Sequence, residues 1–145
     1  MTPTIKKAVP ILVALSIFVN APMAQAKNDH SKYHGILPDA YYDKLAQCET
    51  GGNWQHSTRS YTGGLGIHRR TFQRWSNHSS AKGMTPRRQV RVADAIAFRG
   101  HTEPNGEYVW RVGVWGWGCV KREKHLQAFI CASKHKLVQR WKRHC

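Results

Sequence analysis

A chain of 145 residues holds one domain and hardly two. Its 23 Lys and Arg against 8 Asp and Glu give a formal charge of +15, which selects anionic partners: nucleic acid, an anionic membrane or an anionic cell wall. The four cysteines lack C-x₂₋₄-C spacing and no close His pair stands beside two of them, which argues against a zinc module, so no metal and no cofactor is expected.

The first element is a targeting segment. Lys6 and Lys7 form a basic head, Ala8 to Val19 an apolar run far short of a membrane span, and Ala24-Gln25-Ala26 a small-x-small cleavage site. Residues 1–26 therefore read as a signal peptide, and the protein as secreted, extracellular or held in the cell wall. Export argues against nucleic acid as the working partner. It also makes disulfides the expected state of Cys48, Cys119, Cys131 and Cys145, with three pairings open. Residues 27–36 are polar and read as a flexible lead-in.

A first helix follows. Pro38 suits its first turn, and Asp39 and Asp43 lie near its positive end. Tyr41, Leu45, Cys48 and Glu49 share one face, and Gly51-Gly52 ends the helix. Asn53 to Gly66 is loop-like. Ile67 to Ser76 reads as a second helix that turns Phe72 and Trp75 inward. Thr85 caps a third, with Pro86 at its first position, a stripe of Val90, Ala93, Ile96 and Ala97, and Gly100 as its stop. Pro104-Asn105-Gly106 is a turn, and Tyr108 to Trp117 contains a short strand or an irregular packed segment.

Residues 122–145 read as a basic amphipathic tail. Leu126, Phe129, Ile130, Leu137 and Trp141 recur near a helical period, with a break expected near Ser133. In one straight helix Cys131 and Cys145 would lie about 21 Å apart, too far to bridge. Either the tail bends back, or these two cysteines are free or pair between chains. The domain is mainly α-helical.

Glu49 is the carboxylate whose placement asks for a role. It shares a face with Tyr41 and Leu45, so it points toward the fold. It also sits in the last helical turn, where the dipole disfavours negative charge. Both conditions favour the protonated form that a general acid needs. Asp29, Asp39, Asp43, Asp94, Glu103, Glu107 and Glu123 offer no obvious partner, and Asp94 reads as solvated. A two-carboxylate glycosidase is thus disfavoured, leaving a single-carboxylate mechanism or no catalysis. No H-E-x-x-H or G-x-S-x-G is present, and His56 and His68 are the histidines nearest the expected cleft.

"LAQCETGGNW", Leu45 to Trp54, resembles the signature of resuscitation-promoting-factor-like transglycosylase domains, with Thr50 where that pattern has Ser. "YTGGLGIHRRTF" (61–72), "RRQVRVADAI" (87–96) and "WGC" (117–119) resemble further blocks in the same order. The resemblance spans about 37–119, and the domain is read as 37–121. It implies an α+β lysozyme-like fold and a muralytic glycosidase, a lytic transglycosylase or a lysozyme-type hydrolase, that cuts the β-1,4 MurNAc–GlcNAc bond of peptidoglycan. It implies Glu49 as general acid/base, a Cys48–Cys119 disulfide, and substrate contacts from Asn53, Trp54, Tyr61, Gly63, Gly64, Thr71 and Gln89. Gly66 and Ile67 depart from the pattern's Gln and Phe, which weakens the expected hold on sugar. The alternatives are a non-catalytic cell-wall-binding module and a cationic membrane-active protein whose tail binds anionic wall polymers or membrane.

Overall fold

In the computed structural model, residues 31–102, 106, 108–109 and 112–145 are described. The signal peptide, Asp29, Glu103, Pro104, Asn105, Glu107 and Trp110 lie outside them. Helix α1 (Asp39–Thr50) starts after Pro38. Its first acid is fully occupied: Asp39 accepts from Ser31 Oγ, Lys32 N and Tyr33 N at 2.9, 2.6 and 3.1 Å. Asp43 takes Lys32 Nζ at 3.0 Å and the Tyr33 hydroxyl. Residues expected in a flexible lead-in are thereby drawn onto the helix, and Tyr33 is wholly buried.

Gly51 and Gly52, at φ +64° and +79°, end α1 by donating to Gln47 O and Ala46 O. A left-handed pair of this kind satisfies the last carbonyls, and glycine adopts it without steric cost. The next segment departs from expectation. Tyr61–Thr62 (β1) and Ile67–His68 (β2) form a two-residue antiparallel hairpin, and α2 begins only at Arg69 and runs to Ser76. Thr62 is buried, its Oγ1 taking Ala81 N at 2.8 Å, so the hairpin's polar inward residue is satisfied.

Helix α3 (Pro86–Asp94) is capped by Thr85 as expected, and it continues as a π-turn (Ala95–Arg99) that stops at Gly100. His101–Thr102 (β3) and Tyr108–Val109 (β4) pair antiparallel. A 3₁₀ turn (Val114–Gly116) leads to α4 (Gly118–Arg122) and α5 (Lys124–Ala132). At Ser133 the chain reverses, and a 3₁₀ segment (Gln139–His144) returns to α5. The reversal brings Cys131 and Cys145 to a Cα separation of 5.7 Å, where they are bridged. The architecture is mainly helical with two small hairpins and two disulfides, consistent with an α+β lysozyme-like domain.

One core serves all of this. Leu45 and Tyr42 of α1, Phe72 of α2, Val90 of α3, Val114 and Val120 are buried together with Leu126, Ile130 and Val138 of the tail. The apolar stripe of the tail is therefore packed against the domain. Truncating such a fully buried Leu or Ile to Ala costs about 2–5 kcal/mol.

Asp94 differs most from its sequence reading. It is 3% exposed, and accepts from Ile36 N at 2.9 Å and from the Tyr42 hydroxyl at 2.6 Å. Tyr42 in turn accepts from Leu37 N. Burial pushes the Asp94 carboxyl up to about 6, against the pull of these donors and of Arg99. An unfolded Asp titrates near 3.9. The fold thus favours the acid form, and this group's contribution is fully present below about pH 4 and lost as pH rises through about 6. In thermal or urea unfolding, wild type is expected to lose about 2–3 kcal/mol across that window relative to Asp94→Asn. Parallel stability–pH curves for the two proteins would refute it.

Candidate active site

The end of α1 opens onto a cleft of about 560 Å³. Glu49 and Thr50 line it from the helix, Tyr61, Gly66, Ile67 and His68 from the hairpin, and Thr71 from α2. Val112, Gly116, Trp117 and Gly118 form the opposite stretch of lining, with Ile96 beneath. Among the described residues, two large apolar side chains stand well out in solvent: Tyr61 at 50% and Val112 at 55% exposed. Both line this cleft.

Glu49 is half-buried, and its two oxygens are not equivalent. Oε1 accepts from the backbone N–H of Cys119 at 2.9 Å. Oε2 is the oxygen nearer Gly66, where a Cβ would lie 3.4 Å from it and 3.2 Å from Glu49 Cβ. Gly66 sits at φ +59°, a conformation that L residues adopt at a cost. The glycine of importance to the carboxyl is therefore Gly66, while Gly51 and Gly52 serve the helix end.

Three further bonds hold the site. Cys48 and Cys119 are disulfide-linked across 71 residues of chain. Thr50 Oγ1 donates to Gly64 O at 2.7 Å, joining the helix end to the hairpin turn. The Trp117 indole N–H donates to Leu65 O at 2.7 Å, joining that turn to the opposite wall. His68 meets Tyr61 edge-on at 5.6 Å, and His56 and Thr58 complete the hairpin side.

Of the residues the resemblance marks for substrate, Tyr61 and Thr71 line the cleft beside Glu49. Asn53, Trp54, Gly63, Gly64 and Gln89 are absent from its lining. Asn53 Oδ1 accepts from Gln55 N in a local turn. Trp54 packs on Tyr33 at 5.3 Å and backs Gly64, where a Cβ would come within 2.7 Å of the indole. Gln89 is 1% exposed; its Oε1 accepts from Gly64 N at 2.9 Å and its Nε2 donates to Trp54 O and Met84 O. Gly63 leaves room for that amide, since a Cβ there would lie 2.5 Å from Gln89 Oε1. These five shape the turn behind the cleft. Sequence reasoning missed Thr58, Ile96, Val112, Gly116 and Gly118. The Gly-Trp-Gly run at 116–118 was the one available signal, small residues flanking an aromatic where a ligand approaches.

Among the described residues, no three His, Cys, Asp or Glu side chains converge as a metal site. Asp39, Asp43, Asp94 and Glu123 all lie outside the cleft lining. Replacing Gly66 by Ala is expected to cost about 1–2 kcal/mol in urea unfolding, from the left-handed backbone and the contact with Glu49. An unchanged midpoint would show that residue 66 is not held as described.

Residues 38–105 match the transglycosylase-like domain family. The chain is 39% identical over 59 residues to resuscitation-promoting factor RpfD of Mycobacterium tuberculosis, covering 40% of this chain and 38% of that one. It is 38% identical over 64 residues to RpfE of the same species, covering 41% and 37%. To Rpf2 of Corynebacterium glutamicum it is 31% identical over 65 residues, covering 42% and 17%. The chain thus spans less than two fifths of these relatives' length. No solved structure matches it significantly.

Proposed function

We infer, from the match of residues 38–105 to the transglycosylase-like domain family and the similarity to resuscitation-promoting factors, that this is a peptidoglycan-cleaving enzyme. The protein acts on peptidoglycan, cleaving the β-1,4 bond between MurNAc and GlcNAc with Glu49 as its single general acid/base. It works outside the cell, on glycan strands of the wall, and needs no cofactor. The observation that carries this reading is the pinned carboxyl. The Cys119 N–H holds Oε1 and leaves Oε2 beside Gly66, which supports a reading in which Oε2 carries and transfers the proton.

The chemistry follows from that asymmetry. Protonated Oε2 donates to the glycosidic oxygen as the C–O bond breaks, leaving an oxocarbenium-like sugar. The carboxylate then takes a proton from the incoming oxygen, which is either the substrate's own C6 hydroxyl or water. Tyr61 and Val112 give the sugar rings apolar surface, and Thr71, His56 and His68 supply polar contacts around them.

The membrane-active alternative is weakened by the packing of Leu126, Ile130 and Val138 in the core, which leaves the tail no free apolar face of that size. Among the described residues no helix is long and apolar enough to cross a membrane.

Glu49→Gln is expected to lower release of soluble muropeptides by about 10²–10⁴-fold without unfolding the protein. Undiminished release would end the catalytic reading. Binding of wall fragments with no release by wild type would favour the non-catalytic module. In the same digest, 1,6-anhydro ends identify capture by the C6 hydroxyl, and reducing ends identify water. Tyr61→Ala is expected to raise KM with kcat little changed, because the ring binds sugar without touching the proton transfer.

A further inference from the structure

The tail lies outside the 38–105 match, yet its Trp141 packs against Gly113, the neighbour of the cleft-lining Val112. The wall from Val112 to Gly118 contributes four lining residues, and the next residue, Cys119, supplies the N–H that holds Glu49. At its far end this wall is anchored by the Trp117 indole on Leu65 O and by the Cys119 disulfide, while at its start the backbone bonds among the described residues are few. Val112 N donates to Ile96 O at 2.8 Å, and within the 3₁₀ turn the bonds are long, 3.3 and 3.4 Å. Gly113, at φ +87°, is its pivot.

The indole of Trp141 occupies the space behind that pivot. A Cβ on Gly113 would lie 2.5 Å from Cη2 and 2.6 Å from Cζ3 of Trp141. The indole N–H is buried with no acceptor among the described residues, so apolar packing is what keeps the ring there. Trp141 is itself held on both sides. Val138, three residues before it, is wholly buried, and Cys145, four residues after it, is bridged to Cys131 on α5.

We propose that Trp141 is a positioning residue of the cleft, a wedge that the Cys131–Cys145 bridge holds against Gly113 to set the wall Val112–Gly118 and the Cys119 N–H. Its effect on glycan cleavage rests on the function proposed above; its effect on the wall does not. A wall displaced by a fraction of an ångström changes both the sugar surface at Val112 and the hold on Glu49 Oε1, and small misplacements at a reacting centre are costly.

The test uses the full chain carrying Trp141→Ala, Trp141→Phe, or Cys131→Ala with Cys145→Ala. Cleavage of solubilised peptidoglycan strands is measured well below each variant's melting temperature, with amide hydrogen exchange followed residue by residue. Trp141→Ala is expected to lower kcat/KM about tenfold, largely through KM. Exchange at 112–119 should quicken while that of α3 is unchanged. Trp141→Phe restores most of both, and the double cysteine variant reproduces the alanine result in part. A merely structural role would speed exchange everywhere and leave KM alone, which would overturn the proposal. So would a folded Trp141→Ala with wild-type exchange at 112–119. If Trp141→Ala does not fold, the phenylalanine and cysteine variants decide by the same criteria. If wild type cleaves no glycan, the exchange result still decides, whereas failure of the catalytic reading alone leaves Glu49→Gln equal to wild type in activity.

Discussion

Residue 119 is tied twice to the last turn of α1. Its sulfur is bonded to Cys48, and its backbone N–H donates to the neighbouring Glu49. The disulfide closes a loop of 71 residues, and chain-entropy arguments put such a closure at about 4 kcal/mol. Its more specific consequence is directional. The donor on Cys119 and the carboxylate on Glu49 share a covalent anchor. The disulfide is that anchor, one residue away on one side and at the same residue on the other.

The return path is organised by buried polar side chains more than by sheet. Gln89 binds the Gly64 N–H, Trp54 O and Met84 O, so one amide holds the hairpin turn, the chain after α1 and the start of α3. Asp94 does the same at the other end of α3, joining Ile36 N and the Tyr42 hydroxyl. Each is a buried polar group hydrogen-bonded to segments distant in sequence, which fixes how those segments meet. Two-residue strands could not orient the hairpin alone; the amide and the Thr50 hydroxyl complete that task.

Much of this was legible in the sequence where local chemistry and position agree. Pro38, the Gly51-Gly52 pair and the Thr85-Pro86 start mark real helix ends, and the period of Leu126, Ile130 and Leu137 marks a real packed face. The tail's partner was not legible, because periodicity gives a face and not what covers it. Asp94 was misread although it stands four residues after the buried Val90, on the same side of α3; carboxylate identity outweighed position in that reading. Its partners, Ile36 N and Tyr42, are more than fifty residues away and leave no local trace. The hairpin was missed for a different reason. Two residues per strand are too few to show alternation, so Ile67–His68 looked like the start of the helix that follows it. In the site, Glu49 and Cys119 were visible as a resemblance, but the wall from Val112 to Gly118 is assembled by distant contacts.

Charge completes the account of the cleft. Between Glu49 and Glu103 the sequence has nine Lys and Arg and one acid, Asp94. That acid is buried and engaged with backbone and tyrosine, so it neutralises little of the surface. The acids of α1 are likewise turned to structural use, Asp39 on backbone N–H groups and Asp43 on Lys32 and Tyr33. Asp39, Asp43 and Asp94 thus serve the fold, and the hairpin, α2 and α3 carry a net positive charge. Such a charge raises the local concentration of a polyanion and its rate of encounter, and its effect falls off with added salt.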